Sequence, residues 1–190
     1  MTESALIGLL RKGDETAFKE IVTTWQDMVF NTVLGILQNE EDAEDVAQEV
    51  FVQVFESISS FKEESKLSTW LYRIAVTKSL DHLRRKKRKK RFAFVQSLFG
   101  MNHEEKNLVT DFYHPGVALD NKERAAVLFK AINNLPPNQK VAFTLHKVEG
   151  LSYQEISEAM QTSLSAVESL IHRAKGNLKN QLNIYYQNHK

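Results

Sequence analysis

The stretch PPNQKVAFTLHKVEGLSYQEISEAMQTSLSAVESLIHRAKGNLK, at 136–179, decides the fold of the C-terminal half of this chain. Its apolar spacing predicts three short helices with a sharp turn between the last two. Ser152 precedes the middle helix as an N-cap, and Glu155 three residues later completes a capping box. That helix is expected to end near Met160, so that residues 161–163 form the turn.

The last of these helices separates an apolar stripe from a polar face. Helical spacing relates the residues expected to be buried, which are Val167, Leu170, Ile171, Ala174 and Leu178. The residues left pointing outward are Ser165, Glu168, Ser169, His172, Arg173 and Lys175. A helix anchored by its apolar face that presents small polar and basic groups is typical of those that enter the DNA major groove. The alternative is an ordinary helical hairpin with a solvated face.

Composition bounds the remaining possibilities. Only 7 Gly and 3 Pro in 190 residues predict an all-α chain, and 0 Cys exclude a disulfide scaffold or a Cys-ligated zinc site. No apolar run approaches the roughly 20 residues of a membrane span, and the N-terminus lacks a signal-peptide layout. We therefore expect a cytoplasmic protein without membrane insertion. The six His are scattered, and no phosphate loop or nucleophile elbow is present, so no catalytic, cofactor or metal site is expected.

The net charge of +1 conceals a strong asymmetry. Residues 1–60 carry 12 acidic and 3 basic side chains, whereas 62–91 carry 12 basic and 3 acidic ones. Such segregation predicts two faces with two different partners, one polyanionic and one basic.

Helices are predicted at 3–12 and 15–38, the second capped by Asp14, and a third follows in NEEDAEDVAQEVFVQVFESI. One side of this third helix is acidic, through Asp42, Asp45, Glu49 and Glu56. Metal ligation is disfavoured because no Glu-x-x-His pair accompanies the carboxylates. A solvated face and a docking face for a basic partner both remain open from charge alone.

A polar loop, FKEESKLSTW, leads into a helix from Ser68 that runs into eight consecutive basic residues at 84–91. Such a run cannot be buried, and phosphate binding explains it better than solvation does. Trp70 is able to stack on unpaired bases. Residues 92–118 have no sustained period and predict a flexible linker, with a short apolar piece at 92–99. A further helix is expected at 119–134.

In this combination the chain resembles the sigma factors of bacterial RNA polymerase, specifically the extracytoplasmic-function (ECF) type. Four signatures carry the resemblance in order over nearly the whole chain. They are DAEDVAQEVFVQVF at 42–55, FKEESKLSTWLYRIAVTKSLDHLRRKKR at 61–88, LPPNQKVAFTLHKVEGLSYQEISEAM at 135–160 and SLSAVESLIHRAKGNL at 163–178. The resemblance implies two small helical domains, region 2 at 1–91 and region 4 at 119–190, joined by the linker at 92–118.

For region 2, the resemblance implies that Asp45, Gln48 and Glu49 contact the clamp helices of the polymerase β′ subunit. The loop at 62–68 and the helix after it would recognise the minus-ten element and hold a flipped-out base, and Trp70 would then support the loop from the core. The DNA-contacting residues would be Lys62, Lys66, Arg73, Thr77, Lys78, Arg84, Arg85, Lys86, Lys87 and Arg88. Thr77 departs from the Asn that is frequent there, so the minus-ten preference does not transfer.

For region 4, the resemblance implies that Glu168, Ser169, His172 and Arg173 face the major groove of the minus-thirty-five element. Glu168 departs from the basic residue common at its position. It could accept from cytosine N4, help cap the helix, or pair with His172. Arg173 could bind a guanine edge or a phosphate.

The function implied is promoter-specific initiation by a monomer that joins core RNA polymerase through the β′ clamp helices and the β flap. Promoter DNA and an anti-sigma factor are the other implied partners, and no cofactor is expected. A stand-alone helix-turn-helix regulator is the rival, and it would bind duplex DNA tightly without polymerase, usually as a dimer.

Overall fold

The computed structural model of the protein describes residues 2–98 and 122–188, and their regular elements are all helical. The predicted all-α class is confirmed. The α-helices are α1 (Glu3–Leu10), α2 (Glu15–Leu37), α3 (Glu40–Ser57), α4 (Leu67–Leu98), α5 (Lys122–Asn133), α6 (Pro137–Lys147), α7 (Tyr153–Met160) and α8 (Leu164–Asn188), with a 3-10 turn at Ile58–Ser60. Most of the predicted linker at 92–118 lies outside the described residues.

Side-chain caps set the starts of the first helices. Asp14 Oδ1 accepts from the Ala17 amide at 2.8 Å and begins α2, as its position in the sequence predicts. Asn39 Oδ1 accepts from the Asp42 amide at 2.8 Å and begins α3. Helix α1 ends at Leu10, two residues before the predicted end at 12, because the chain turns through Gly13 at a φ of +77°.

Helices α2, α3 and α4 pack on one another around an apolar core. One side of α3 and of the turn after it is apolar and buried, and its residues are Ala43, Val46, Ala47, Val50, Phe51, Val54 and Ile58. Trp70 is 8% exposed and stacks on Phe61, with ring centroids 4.9 Å apart. Trp70 therefore belongs to the core beneath the loop at 61–66.

The helix-turn-helix forms as its local signals predict. Ser152 Oγ accepts from the Glu155 amide, and Glu155 Oε2 accepts from the Ser152 amide, so the capping box at the start of α7 is confirmed. Gln161 ends α7 in the left-handed conformation at a φ of 50°. Ser163 Oγ then accepts from the Ala166 amide at 3.2 Å and caps α8.

The two halves of the chain pack against each other. Helix α7 lies on α4, and α6 lies on α2. Buried side chains of α6, α7 and α8, among them Leu145, Ile156 and Ile171, belong to the same hydrophobic cluster as the core of α2–α4. A smaller cluster joins α5 to α8 through Phe129, Ile132 and Leu178.

Candidate functional site

The first candidate surface is the acidic face of α3, formed by Asp45, Gln48 and Glu49. Asp45 and Gln48 are exposed, and Glu49 is half-buried. All three lie within the first three turns of a helix whose opposite side is anchored in the core, so the acidic face has a fixed orientation.

Two apolar side chains continue this surface towards the C-terminus of α3, and the charge pattern of the sequence does not reveal them. Val52 is 56% exposed and Phe55 is 45% exposed. Val52 lies one turn beyond Gln48 on the same side of the helix. The ring of Phe55 meets Phe18 edge-on, with centroids 5.2 Å apart. Exposed aromatic and aliphatic side chains beside charged ones are typical of protein–protein interfaces.

Part of the charge asymmetry is neutralised inside the molecule. Arg85 on α4 lies 3.4 Å from Glu49, Lys86 binds Asp42, and His82 Nε2 lies 3.2 Å from Asp42. The basic and acidic segments thus meet along the edge where α3 packs on α4. No ion pair is formed by Asp45 within the part of the chain that the structure describes.

The second candidate surface is a cavity of about 470 Å³ beside the loop at 61–66, called here the loop pocket. Its lining comes from the loop, from the first turns of α4 and from one residue of α7, and comprises Ser60, Phe61, Lys62, Glu64, Ser65, Trp70, Arg73 and Glu158. The volume lies within the range of small-ligand pockets. Of the predicted DNA-contacting residues, Lys62 and Arg73 line this pocket, while Lys66 is exposed nearby on the loop.

The outer side of α4 continues from the loop pocket into the basic run. Thr77 is exposed and its hydroxyl donates to the Arg73 carbonyl at 2.8 Å, while Lys78 is half-buried. Residues 84–91 are all exposed on a helix that continues without interruption to Leu98. Apart from Lys62 and Lys66 on the loop, the predicted DNA-contacting residues of this half therefore follow one helix, in the order Arg73, Thr77, Lys78, Arg84, Arg85, Lys86, Lys87 and Arg88.

The third candidate surface is the recognition face of α8, formed by Ser165, Glu168, Ser169, His172, Arg173 and Lys175, all of which are exposed. Four of them, Glu168, Ser169, His172 and Arg173, line one shallow depression of about 330 Å³. The apolar stripe behind them is buried at Val167, Ile171, Ala174 and Leu178, with Leu170 half-buried.

Glu168 is part of this face, and the sequence leaves three possible roles open for it. Within the described residues it neither caps the start of α8, which Ser163 does, nor forms an ion pair with His172. Arg173 donates from Nε to the Ser169 carbonyl at 3.2 Å, so part of its guanidinium is held against the helix.

Two polar contacts join the start of α4 to the C-terminal half, one at Glu149 in the turn before α7 and one at Glu158 of α7. Tyr72 Oη lies 3.4 Å from Glu149 Oε2, and Arg73 Nε donates to the Glu158 carbonyl at 3.3 Å. Burial raises the pKa of the Glu149 carboxyl, and the Tyr72 hydrogen bond only partly opposes this effect. Burial and the adjacent Glu149 also raise the pKa of Tyr72.

No group of three or more His, Cys, Asp or Glu in the described ranges could hold a metal ion. Among the same residues, no helix is both long and apolar enough to cross a membrane.

Comparison with known proteins decides what these surfaces belong to. The family model for Sigma-70 region 2 matches residues 21–89, and the model for Sigma-70, region 4 matches residues 119–178. The ECF RNA polymerase sigma-E factor of Haemophilus influenzae is 34% identical over 96% of this chain and 96% of its own length. The chain belongs to the ECF family of RNA polymerase sigma factors. The sigma-E factor of Escherichia coli K12 is 30% identical over 96% of this sigma factor and 95% of its own length.

Two solved structures share the fold of this sigma factor. CnrH, in complex with the cytosolic domain of CnrY, aligns with a TM-score of 0.64 at 21% identity over 95% of this chain and 96% of its own. The sigma factor RpoE from Bartonella quintana, in complex with the anti-sigma factor NepR, aligns with a TM-score of 0.65 at 22% identity. The alignment covers 88% of this chain and 97% of RpoE.

Membership in this family establishes the function as promoter-specific transcription initiation with RNA polymerase. It also removes the stand-alone helix-turn-helix regulator as an interpretation of the chain, since region 2 accounts for the half of the molecule that such a regulator would leave unexplained.

Proposed function

We propose that this sigma factor docks on the polymerase β′ clamp helices through the acidic face of α3. The support is geometric: Asp45 and Gln48 are exposed side by side on a rigid helix, and the apolar Val52 extends the same surface. Glu49 joins the contact by exchanging its partner Arg85 for a basic group of the polymerase. Region 4 makes the second contact with the polymerase, on the β flap.

Promoter DNA is held at two places in this proposal. The loop pocket takes an unpaired base of the minus-ten element. The loop contacts the backbone with Lys62 and Lys66, and the outer side of α4 does so with Arg73, Thr77 and Lys78. Unstacking one base costs a few kcal/mol, which the pocket and the phosphate contacts of the basic run offset. The residues assigned to that run are Arg84, Arg85, Lys86, Lys87 and Arg88.

The recognition face of α8 reads the minus-thirty-five element as duplex in the same proposal. The single observation that carries this assignment is the exposure of all six outward residues on a helix whose opposite stripe is buried. Glu168 accepts a hydrogen bond from cytosine N4, and Arg173 contacts a guanine edge or a phosphate. Ser165 and Lys175 flank the base-reading group and bind the backbone.

The proposed setting is that of a transcription initiation factor without catalysis or cofactor of its own. It works in the cytoplasm and is a monomer when free of polymerase. An anti-sigma factor controls it. This last point is supported by two proteins of the same fold, whose structures are complexes with the cytosolic domain of CnrY and with the anti-sigma factor NepR.

Charge reversal on the acidic face tests the docking assignment. Asp45→Lys should weaken core-polymerase binding at least about 30-fold, because it places like charges across a close interface. Asp27→Lys is the matched control, since Asp27 is exposed on α2, a different helix from the one that carries the acidic face. Binding is measured by pull-down titration, and initiation by transcription from a promoter library with core polymerase. Equal core binding by the two variants would remove the acidic face from the interface.

A further inference from the structure

The loop at 61–66 is held from the side by α1, a helix that neither the charge pattern nor the promoter-binding surfaces involve. The Arg11 guanidinium donates through Nη2 to the Phe61 carbonyl, and its Nη1 lies 2.9 Å from Glu63 Oε1. At the other end of the loop, Glu3 Oε1 accepts from the Leu67 amide at 3.0 Å, where α4 begins. Both ends of the loop are thus tied to α1 and to Arg11, the residue that caps its C-terminus.

The middle of the loop has a backbone conformation that needs such support. Glu63 has a φ of +57°, in the left-handed region, and it is not glycine. That conformation costs an L-residue roughly 1–2 kcal/mol, so it persists only where its surroundings hold it. The Glu63 side chain is the partner of Arg11, and the same guanidinium binds the carbonyl two residues earlier.

The loop held in this way forms the wall of the loop pocket. Phe61, whose carbonyl Arg11 binds, stacks on Trp70 at the base of the pocket, and Lys62, Glu64 and Ser65 line it. Glu63 itself does not line the pocket, and neither does Arg11. A change at Arg11 therefore reaches the pocket only through the backbone of the loop.

We propose that Arg11 is a positioning residue for minus-ten base recognition, fixing the shape of the loop pocket without contacting DNA. The inference rests on the proposed role of the loop pocket and adds α1 to the elements that determine promoter choice. A guanidinium suits the task because it donates in a fixed fork, to a carbonyl and a carboxylate at once. A lysine ammonium at the same position would form a good hydrogen bond with either the Phe61 carbonyl or the Glu63 carboxylate, but a poor one with the other.

The test compares Arg11→Ala with Lys12→Ala, a neighbouring exposed residue of equal charge. Each variant is assayed with core polymerase on promoters that differ by single substitutions in the minus-ten element. For Arg11→Ala, the ratio of transcription between preferred and disfavoured bases should fall about tenfold, because small misplacements of a recognition group carry large costs. Lys12→Ala should keep the wild-type ratio, and Arg11→Lys should recover part of it.

The ratio separates positioning from general stabilisation. A loss of stability lowers transcription from every promoter alike and leaves the ratio unchanged. Glu63→Ala removes one of the two Arg11 contacts and should also lower the ratio. The double variant Arg11→Ala/Glu63→Ala should lower it no further than Arg11→Ala alone, since that variant already breaks the pair.

Two outcomes would overturn the inference in distinguishable ways. If Arg11→Ala keeps the wild-type ratio while the wild-type protein discriminates among minus-ten bases, the positioning role of Arg11 is wrong. The proposed role of the loop pocket in base recognition is then unaffected. If the wild-type protein itself shows no preference at any minus-ten position, the role of the loop pocket is wrong and the inference fails with it.

Discussion

At the scale of single residues, Lys140 is the most unusual ionisable group that the structure describes. It is 4% exposed in α6, and its Nζ bonds to Asn133 Oδ1 at 2.7 Å. No carboxylate among the described residues lies within ion-pair distance of Lys140. Burial lowers the pKa of Lys140 to about 8, because the interior disfavours the charged form.

This shift predicts a stability that increases with pH. Between about pH 8 and pH 10.4 the unfolded chain still holds the lysine proton, whereas the folded protein has released it, so raising the pH favours folding. The gain should approach about 1.4 kcal/mol per pH unit in that window. Urea titrations followed by circular dichroism from pH 7 to pH 10 measure it.

Lys140→Met provides the comparison, because it keeps a long side chain and removes the titrating group. We expect the variant to unfold at higher urea than the wild type at pH 7 and to lack the rise above pH 8. Equal pH dependence of the two proteins would show that Lys140 is not the group responsible.

At the scale of elements, α4 combines two tasks along one helix. Its first half is anchored in the core, and its second half is the basic run. Like charges four residues apart weaken an isolated helix. Here Arg85 and Lys86 bind Glu49 and Asp42 of α3, which supports the helix where the run begins.

The pairing predicts unequal contributions of the basic residues to DNA binding. Lys87, Arg88 and Lys89 form no ion pair with residues that the structure describes, whereas Arg85 and Lys86 do. Replacing Lys87, Arg88 and Lys89 by Gln should make the binding of holoenzyme to promoter DNA less sensitive to salt. The slope of log binding constant against log salt concentration should fall in magnitude by about 0.7–0.9 for each phosphate that is no longer neutralised. The single replacement Lys86→Gln should change the slope less per residue, because Asp42 of α3 already neutralises that charge. Equal slopes in all three proteins would contradict phosphate binding by the run.

The elements that could be predicted from sequence are those whose signals are local. The helix at 15–38 and the capping box at Ser152 were predicted to within a residue, because the cap and the apolar period lie in the same short segment. The contacts of Arg11 could not be predicted from the sequence, since its partners, the Phe61 carbonyl and Glu63, lie some fifty residues away along the chain. The buried state of Lys140 was missed for a similar reason, because a lysine gives no sign of burial in its own segment.

At the scale of the whole molecule, the packing of the two halves could not be predicted from the sequence either. Glu149 and Tyr72 meet across 77 positions, and neither stands out by composition or spacing. Their contact places α7 over the start of α4, where Glu158 lines the loop pocket and its carbonyl binds Arg73. The recognition face of α8 stays exposed in the same arrangement. Helix α7 therefore contributes to the wall of one proposed promoter surface, the loop pocket, and leaves the other free.

The chemistry of this contact favours separation. Burial raises the pKa of the Glu149 carboxyl, so the packed arrangement accommodates the ionised form of this group less well than the protonated form. Interfaces between domains that carry such polar groups separate more readily than apolar ones. Placing an arginine at 149 would put a cation without a carboxylate partner into the contact with Tyr72, and the halves should then come apart.

Glu149→Arg should therefore raise the affinity of the free protein for a single-stranded minus-ten oligonucleotide, while duplex binding by the recognition face stays constant. If a tenth of the wild-type molecules are open, the gain is about tenfold, because the apparent affinity scales with the open fraction. Glu44→Arg carries the same change of charge on an exposed part of α3 and controls for general attraction to DNA. Small-angle scattering reports the opening itself, as a radius of gyration above the roughly 16 Å of a compact chain of this length. An expanded Glu149→Arg that bound the oligonucleotide no better than Glu44→Arg would mean that α7 does not obstruct the loop pocket.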